Sequence, residues 1–225
     1  MEWRERYGRA AARYEAGETR ELDERQLVQL ANAAWAAGLS RLMAGERESA
    51  AEWLLRSAAR YRESWDAGVA TDAWGRPIAA MKALLIAGAD ASGAARWTLD
   101  VGAGEAESPI GRYAGVLALL VLERDEDAAG LAVRLGGGFP VDVAAALLAL
   151  AAHDAEAYRT AIAAVRRSFE ERDAFLEDVP VPDTAFALDA LAVQRGLVQL
   201  RRRRTIEHSP RRPFGRPHEA ARRRM

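Results

Sequence analysis

The chain has 225 residues, half of them hydrophobic, with a net charge of −1 and no cysteine. Without cysteine there are no disulfides, no thiolate catalysis and no cysteine-ligated metal, while the apolar fraction suffices for one sizeable core or one elongated repeat array. The longest apolar runs, YAGVLALLVL and VAAALLALAA, have ten residues each, whereas a bilayer span takes roughly 20; a soluble, cytoplasmic protein is expected.

The N-terminus, MEWRERYGRAAARYEAGE, is charged and has no apolar h-region, so it does not read as a signal peptide. From there, apolar residues recur at helical spacing almost everywhere. Leu54, Ala58, Tyr61 and Trp65 form one stripe, and Tyr158, Ile162, Val165, Phe169 and Leu176 form another. No stretch alternates with period two, and no Asn-Gly or Asp-Gly hairpin turn occurs. The predicted helices lie near 2–17, 23–44, 47–67, 76–88, 91–103, 109–123, 126–136, 140–152, 155–175 and 182–200.

Prolines punctuate the second half. Pro77, Pro109, Pro140 and Pro182 each stand at the start of an apolar segment, and the first three are expected in first helical turns, where a missing N–H costs nothing. Ser108 supplies a good N-cap before Pro109. After the first three prolines come a helix, a polar turn with an aspartate (Asp90, Asp125, Asp154) and a second helix. This is a helical hairpin repeated every 31 to 34 residues or so. GGGFP at 136–140 reads as a helix stop followed by a helix start.

The segment NAAWAAGLSRLMAGERESAAEWLLRSAARYRESW resembles a tetratricopeptide repeat. Gly38, Gly45 and Ala50 stand at the spacing of that motif's small residues, and Leu54 and Ala58 fall near its next packing positions. Trp35 comes one position late and no proline closes the unit. The resemblance implies an all-α fold, an α–α superhelix of about ten helices stacked as antiparallel hairpins. Residues 1–200 then form a single helical-repeat domain, and the arginine-rich residues 201–225 a disordered tail.

Charge is distributed unevenly. Residues 201–225 hold ten arginines against Glu207 and Glu219, a charge of +8, which leaves −9 on residues 1–200. Lys82 is the only lysine, and the wealth of arginine and alanine points to a GC-rich, bacterial gene. An individual arginine is therefore weak evidence of function. Three readings of the tail compete: phosphate binding, electrostatic folding back onto the acidic body, and no role at all. An acidic body argues against nucleic acid as the partner.

SWDAGVATDAWGRPIAAMKALL, residues 64–85, concentrates aromatic and charged residues. One reading makes Trp65, Trp74, Asp66, Asp72 and Arg76 a partner anchor, since tryptophan and arginine dominate interface hot spots. The other makes the stretch punctuation: Trp65 ends one packing stripe, Trp74 covers the next helix, Gly75 permits a turn and Pro77 opens the helix. The residues expected to line a binding groove are Trp74, Arg76, Lys82, Arg112 and Tyr113, near the starts of successive first helices.

Catalytic signatures are lacking. His153, His208 and His218 have no metal-ligand spacing, and ERDED at 123–127 and EERD at 170–173 lack the spacing of a calcium loop. GGG at 136–138 has neither a preceding strand nor the downstream residues of a phosphate loop, and no nucleophile elbow or triad is present. No cofactor or metal is expected. The leading expectation is a non-enzymatic helical-repeat protein that binds another protein or peptide, as tetratricopeptide-like proteins mostly do. A second is an immunity protein neutralising a bacterial toxin, from a resemblance in size, helical character and acidity to the helical immunity proteins of polymorphic toxin systems. A third is an enzyme or small-ligand-binding protein with a pocket inside the superhelix.

Overall fold

A computed structural model describes residues 2–18, 22–68 and 72–198. The tail lies outside the described residues, and so does the expectation that it is disordered. The described chain is an α–α superhelix of stacked antiparallel hairpins. Its helices are α1 (Trp3–Gly17), α2 (Glu24–Met43), α3 (Arg47–Asp66), α4 (Gly75–Ala87) and α5 (Ser92–Asp100), followed by α6 (Pro109–Val121), α7 (Asp125–Ala132), α8 (Val141–Ala151), α9 (Ala155–Glu170) and α10 (Asp183–Gln194). Single 3-10 turns occupy Ala103–Glu105 and Leu176–Asp178. No described helix is long and apolar enough to cross a membrane.

Four hairpins, α2–α3, α4–α5, α6–α7 and α8–α9, turn by one device. Each first helix ends on a residue in the left-handed conformation: Gly45 (φ 85°), Gly88 (φ 71°), Glu123 (φ 57°) and His153 (φ 52°). The N–H of that residue donates to the carbonyl three residues back, and the next N–H donates to the carbonyl five back: Glu46 to Arg41, Ala89 to Leu84, Arg124 to Leu119, Asp154 to Ala149. This pairing satisfies carbonyls that the end of a helix would otherwise orphan. In three hairpins the second donor is also the N-cap of the following helix, so the chain reverses within two residues. Asp154 caps α9 through its own side chain, accepting from the N–H groups of Glu156 and Ala157.

Small residues set the closeness of the paired helices. A Cβ on Gly38 of α2 would lie 2.7 Å from Leu54 Cγ and 3.1 Å from the Ala50 carbonyl oxygen of α3. A Cβ on Gly115 of α6 would lie 2.6 Å from the Ala103 carbonyl oxygen and 2.8 Å from Leu131 Cδ2 of α7. The same glycine-to-leucine contact thus recurs in two hairpins. Pro77 and Pro109 sit in first turns, Pro109 behind a Ser108 cap that accepts from the Gly111 N–H. Pro140 and Pro182 stand one residue earlier, as N-caps. Gly75 is helical; the turn before α4 takes its left-handed residues from Gly68 and Asp72 instead.

The apolar interior comprises two clusters, one across α1–α4 joined by Trp97 of α5 and by Val179 and Val181, and one across α4–α10. Both press on the partly buried Trp65, Leu84, Ile86, Ala94 and Val101. After α9 the chain doubles back. The turn at Leu176–Asp178 packs on α2, Glu177 pairs with Arg13 of α1 at 2.5 Å, and α10 lies against α4, α8 and α9. Val179, Val181, Ala185, Leu188 and Leu191 of this segment are all buried. Residues 176–194 therefore cover the row of first helices from within the chain.

The non-glycine left-handed residues provide a test. Glu123→Gly relieves strain and is expected to raise stability by about 0.5–1 kcal/mol, whereas Gly88→Ala imposes strain and lowers it by about 1–2 kcal/mol. Urea melts of the two variants against the parent measure both.

Candidate interaction surfaces

The five expected groove residues are engaged with other parts of the chain. Trp74, 8% exposed, is wedged between the ring of Trp65 (centroids 6.2 Å apart) and the bare backbone of Gly111, and its Nε1–H donates to Asp72 at 3.2 Å. Arg76 donates to the Ser64 carbonyl at 3.1 Å and pairs with Glu24, which ties the start of α4 to the end of α3 and the start of α2. Burial lowers the pKa of its guanidinium from the ordinary value. Arg112 donates to the carbonyls of Ala106 and Arg134.

Lys82 and Tyr113 converge on the start of α10. Lys82 Nζ pairs with Asp183 at 2.5 Å and donates to Thr184 Oγ1 at 3.0 Å. Tyr113 is buried with its ring 5.3 Å from that of Phe139; burial and then the nearby Asp183 carboxylate push its phenol well above the ordinary value. Three further polar contacts, none visible as a motif, fasten the same helix. Asp189 accepts from the Tyr158 hydroxyl at 2.9 Å and pairs with Arg166 of α9. Arg195, just past α10, pairs with Asp125 at the start of α7, and His153 meets the other oxygen of Asp125 at 2.7 Å. The covered row is thus held by charge at three points along α10.

Of the second helices, α9 is packed against by α10, whereas clefts lie open along α3, α5 and α7. Between α3 and α5 a cleft of about 440 Å³ lies over Trp65 and Trp97, whose rings meet edge-on at 5.7 Å. Its rim carries Arg62, Asp66, Arg96 and Asp100. Arg62 lies 4.7 Å from the Trp97 ring centre and is gripped by both oxygens of Asp66 at 2.9 and 3.0 Å. Arg96 is held by the Ser92 hydroxyl at 3.1 Å, and Asp100 has no partner among the described residues. Gly93 lines the cleft with open space where a Cβ would be. A larger cleft, about 680 Å³, separates α5 and its following 3-10 turn from α7. A smaller one, about 320 Å³, lies where α8, α9 and α10 meet, with Val143, Phe169, Arg172 and Thr184 in its lining.

Among the described residues no group of three or more His, Asp or Glu side chains gathers as a metal site. No family model, curated protein or solved structure matches the chain.

Two measurements follow from the contacts of α10. Lys82 offers the only side-chain amine in the chain, and its side chain is 12% exposed with the ammonium paired. An amine-reactive reagent is expected to label the N-terminus of the native protein while sparing Lys82, and to label both in denaturant, as read by mass spectrometry. For Asp125, burial raises the carboxyl pKa, but the hydrogen bonds from His153 and Arg195 outweigh it and hold the group below its ordinary value. A depressed carboxylate stabilises the fold above its unfolded pKa of about 3.9 and loses that contribution as pH falls through the folded value. Asp125→Asn, which also strands Arg195, is expected to cost about 1–3 kcal/mol near neutral pH. Its deficit shrinks towards about pH 2, where the parent has lost the same charge. Melts at the two pH values measure the difference.

Proposed function

We propose that the chain is a non-enzymatic helical-repeat protein that binds another protein or peptide, and that the partner docks over Trp65 and Trp97 on the row of second helices. The observation that carries this is the asymmetry of the two rows. The row of first helices is covered by residues 176–194, while a cleft stays open between α3 and α5, lined by the partly buried Trp65 and the buried Trp97 with four charged residues at its rim. An aromatic floor ringed by arginines and carboxylates has the composition of an interface hot spot. The tetratricopeptide-like reading is supported by the close contact of Gly38 with Ala50 and Leu54 and by the repeated hairpin turn. A binding face on the second helices departs from the groove on the first helices that this resemblance suggests.

A toxin-neutralising role is the second reading, favoured by the charge of −9 on residues 1–200. An acidic surface steers and complements a basic partner such as a nuclease.

Gly93→Leu tests the site. The cleft has room for the new side chain, and leucine favours a helix over glycine by about 0.5–1 kcal/mol, so the fold is retained while the cleft is filled. Proteins captured by the wild-type chain from its native lysate, identified by mass spectrometry and confirmed by titration with the purified partner, are expected to bind the variant at least about tenfold more weakly, as loss of a hot spot would give. Equal capture by both proteins would overturn the assignment of the site, and the absence of any saturable partner would overturn the function. A captured basic toxin would select the second reading.

A further inference from the structure

We propose that the arginine-rich segment of this chain, residues 199–225, docks in cis into the cleft between α5 and α7. Leu99, Leu119 and Leu131 line the cleft. Its width comes from glycine: Gly102 and Gly130 have open space where a Cβ would stand, and at Gly104 the nearest atom, Leu99 Cδ2, is 3.9 Å away. Four carboxylates, Asp100, Glu105, Glu126 and Asp127, face two guanidiniums, Arg124 and Arg134, across this space. Arg124 is already paired with Asp127 at 2.7 Å.

Of the remaining carboxylates, only Glu126 is explained by the fold. Acidic residues in the first turn of α7 complement the positive end of that helix, which accounts for Glu126. Asp100 is the last residue of α5, where the helix dipole disfavours an anion. Asp100, Glu105 and Glu126 have no ion-pair partner among the described residues. Three carboxylates without an ion pair, from three elements, border the cleft against one lining guanidinium, Arg134, that also has no ion pair among the described residues, which leaves an acidic excess.

Two observations select the chain's own segment as the cation that meets this excess. The first is continuity. Arg195 already pairs with Asp125, the residue directly before Glu126. Residue 199 follows four positions later in the sequence, so the segment is tethered within a few residues of a contact with α7. Its 27 residues reach up to about 90 Å when extended. The second is charge: +8 over residues 201–225 against −9 on the body. Covalent attachment makes the encounter intramolecular, which raises the effective concentration of a weak, multivalent contact. Such a contact between exposed charges is screened by salt, because the Debye length falls from about 8 Å at physiological ionic strength to about 3 Å at 1 M.

The absence of native cysteine allows a single nitroxide on Ala221→Cys in the otherwise full-length protein. At low salt, amide signals around Glu105, Glu126 and Gly130 are expected to lose about half their intensity or more relative to the reduced label, and to recover near 1 M salt. Glu105→Gln combined with Glu126→Gln removes the charge, and Gly130→Leu fills the space on a helix that tolerates it. Each is expected to abolish the local loss while leaving the rest of the spectrum in place. Loss spread evenly over the body, loss centred elsewhere, or local loss that persists in both variants would overturn the proposal. Gly93→Leu, which blocks the neighbouring cleft, leaves the local loss intact, so the two surfaces are tested separately.

Discussion

A row of first helices in a hairpin array carries apolar surface that neighbouring hairpins do not fully cover, and something has to keep it from water. Here the chain's own residues 176–194 do so, burying Val179, Val181, Leu188 and Leu191 against it. The position of α10 then decides much else. It directs Lys82 and Tyr113 inward to its first turn, sets Tyr158 and Arg166 around Asp189, and brings Arg195 to Asp125. Because the apolar burial is non-directional, these polar contacts fix the register at which α10 lies. With the first helices covered, two of the three clefts, including the largest, lie along α5, and the third lies where α8, α9 and α10 meet.

Much of this architecture is legible in the sequence. Period-3.6 patterning locates the start of every described helix to within about one residue, and the prolines mark the starts of α4, α6, α8 and α10. The ends are less visible. The segment predicted at 91–103 stops at Asp100, because Gly102 takes φ 93° and a 3-10 turn follows. The segment predicted at 155–175 stops at Glu170, and the chain leaves in a non-helical run towards α1 and α2. The shared turn is hidden because two of its four left-handed positions hold Glu123 and His153 rather than glycine. Composition marks those turns only through their aspartates.

The site residues were harder to read, for a different reason. Periodicity reports which face a residue occupies and says nothing about a partner far along the chain. In the sequence Arg76 reads as a free guanidinium because Glu24 is remote, and Lys82 as a groove residue because Asp183 is more remote still. Trp97 carries no signal in the sequence. It lies on a short helix outside the stretch at 64–85, and only the fold sets it edge-on to Trp65. An excess of aromatic and charged residues at 64–85 was the one available signal, and it pointed to Trp65 but not to its neighbour.

The return of the chain to its beginning governs how the protein can be made. Glu177 meets Arg13, and the two buried valines that follow pack among helices built from the first half. During synthesis the early hairpins leave the ribosome with their apolar row uncovered until those residues have been translated. A repeat array normally folds locally, each unit on the last. This one closes over long sequence separations, so its final step is slow relative to hairpin formation and is the stage at which a chaperone or a neighbouring nascent chain competes for the same surface.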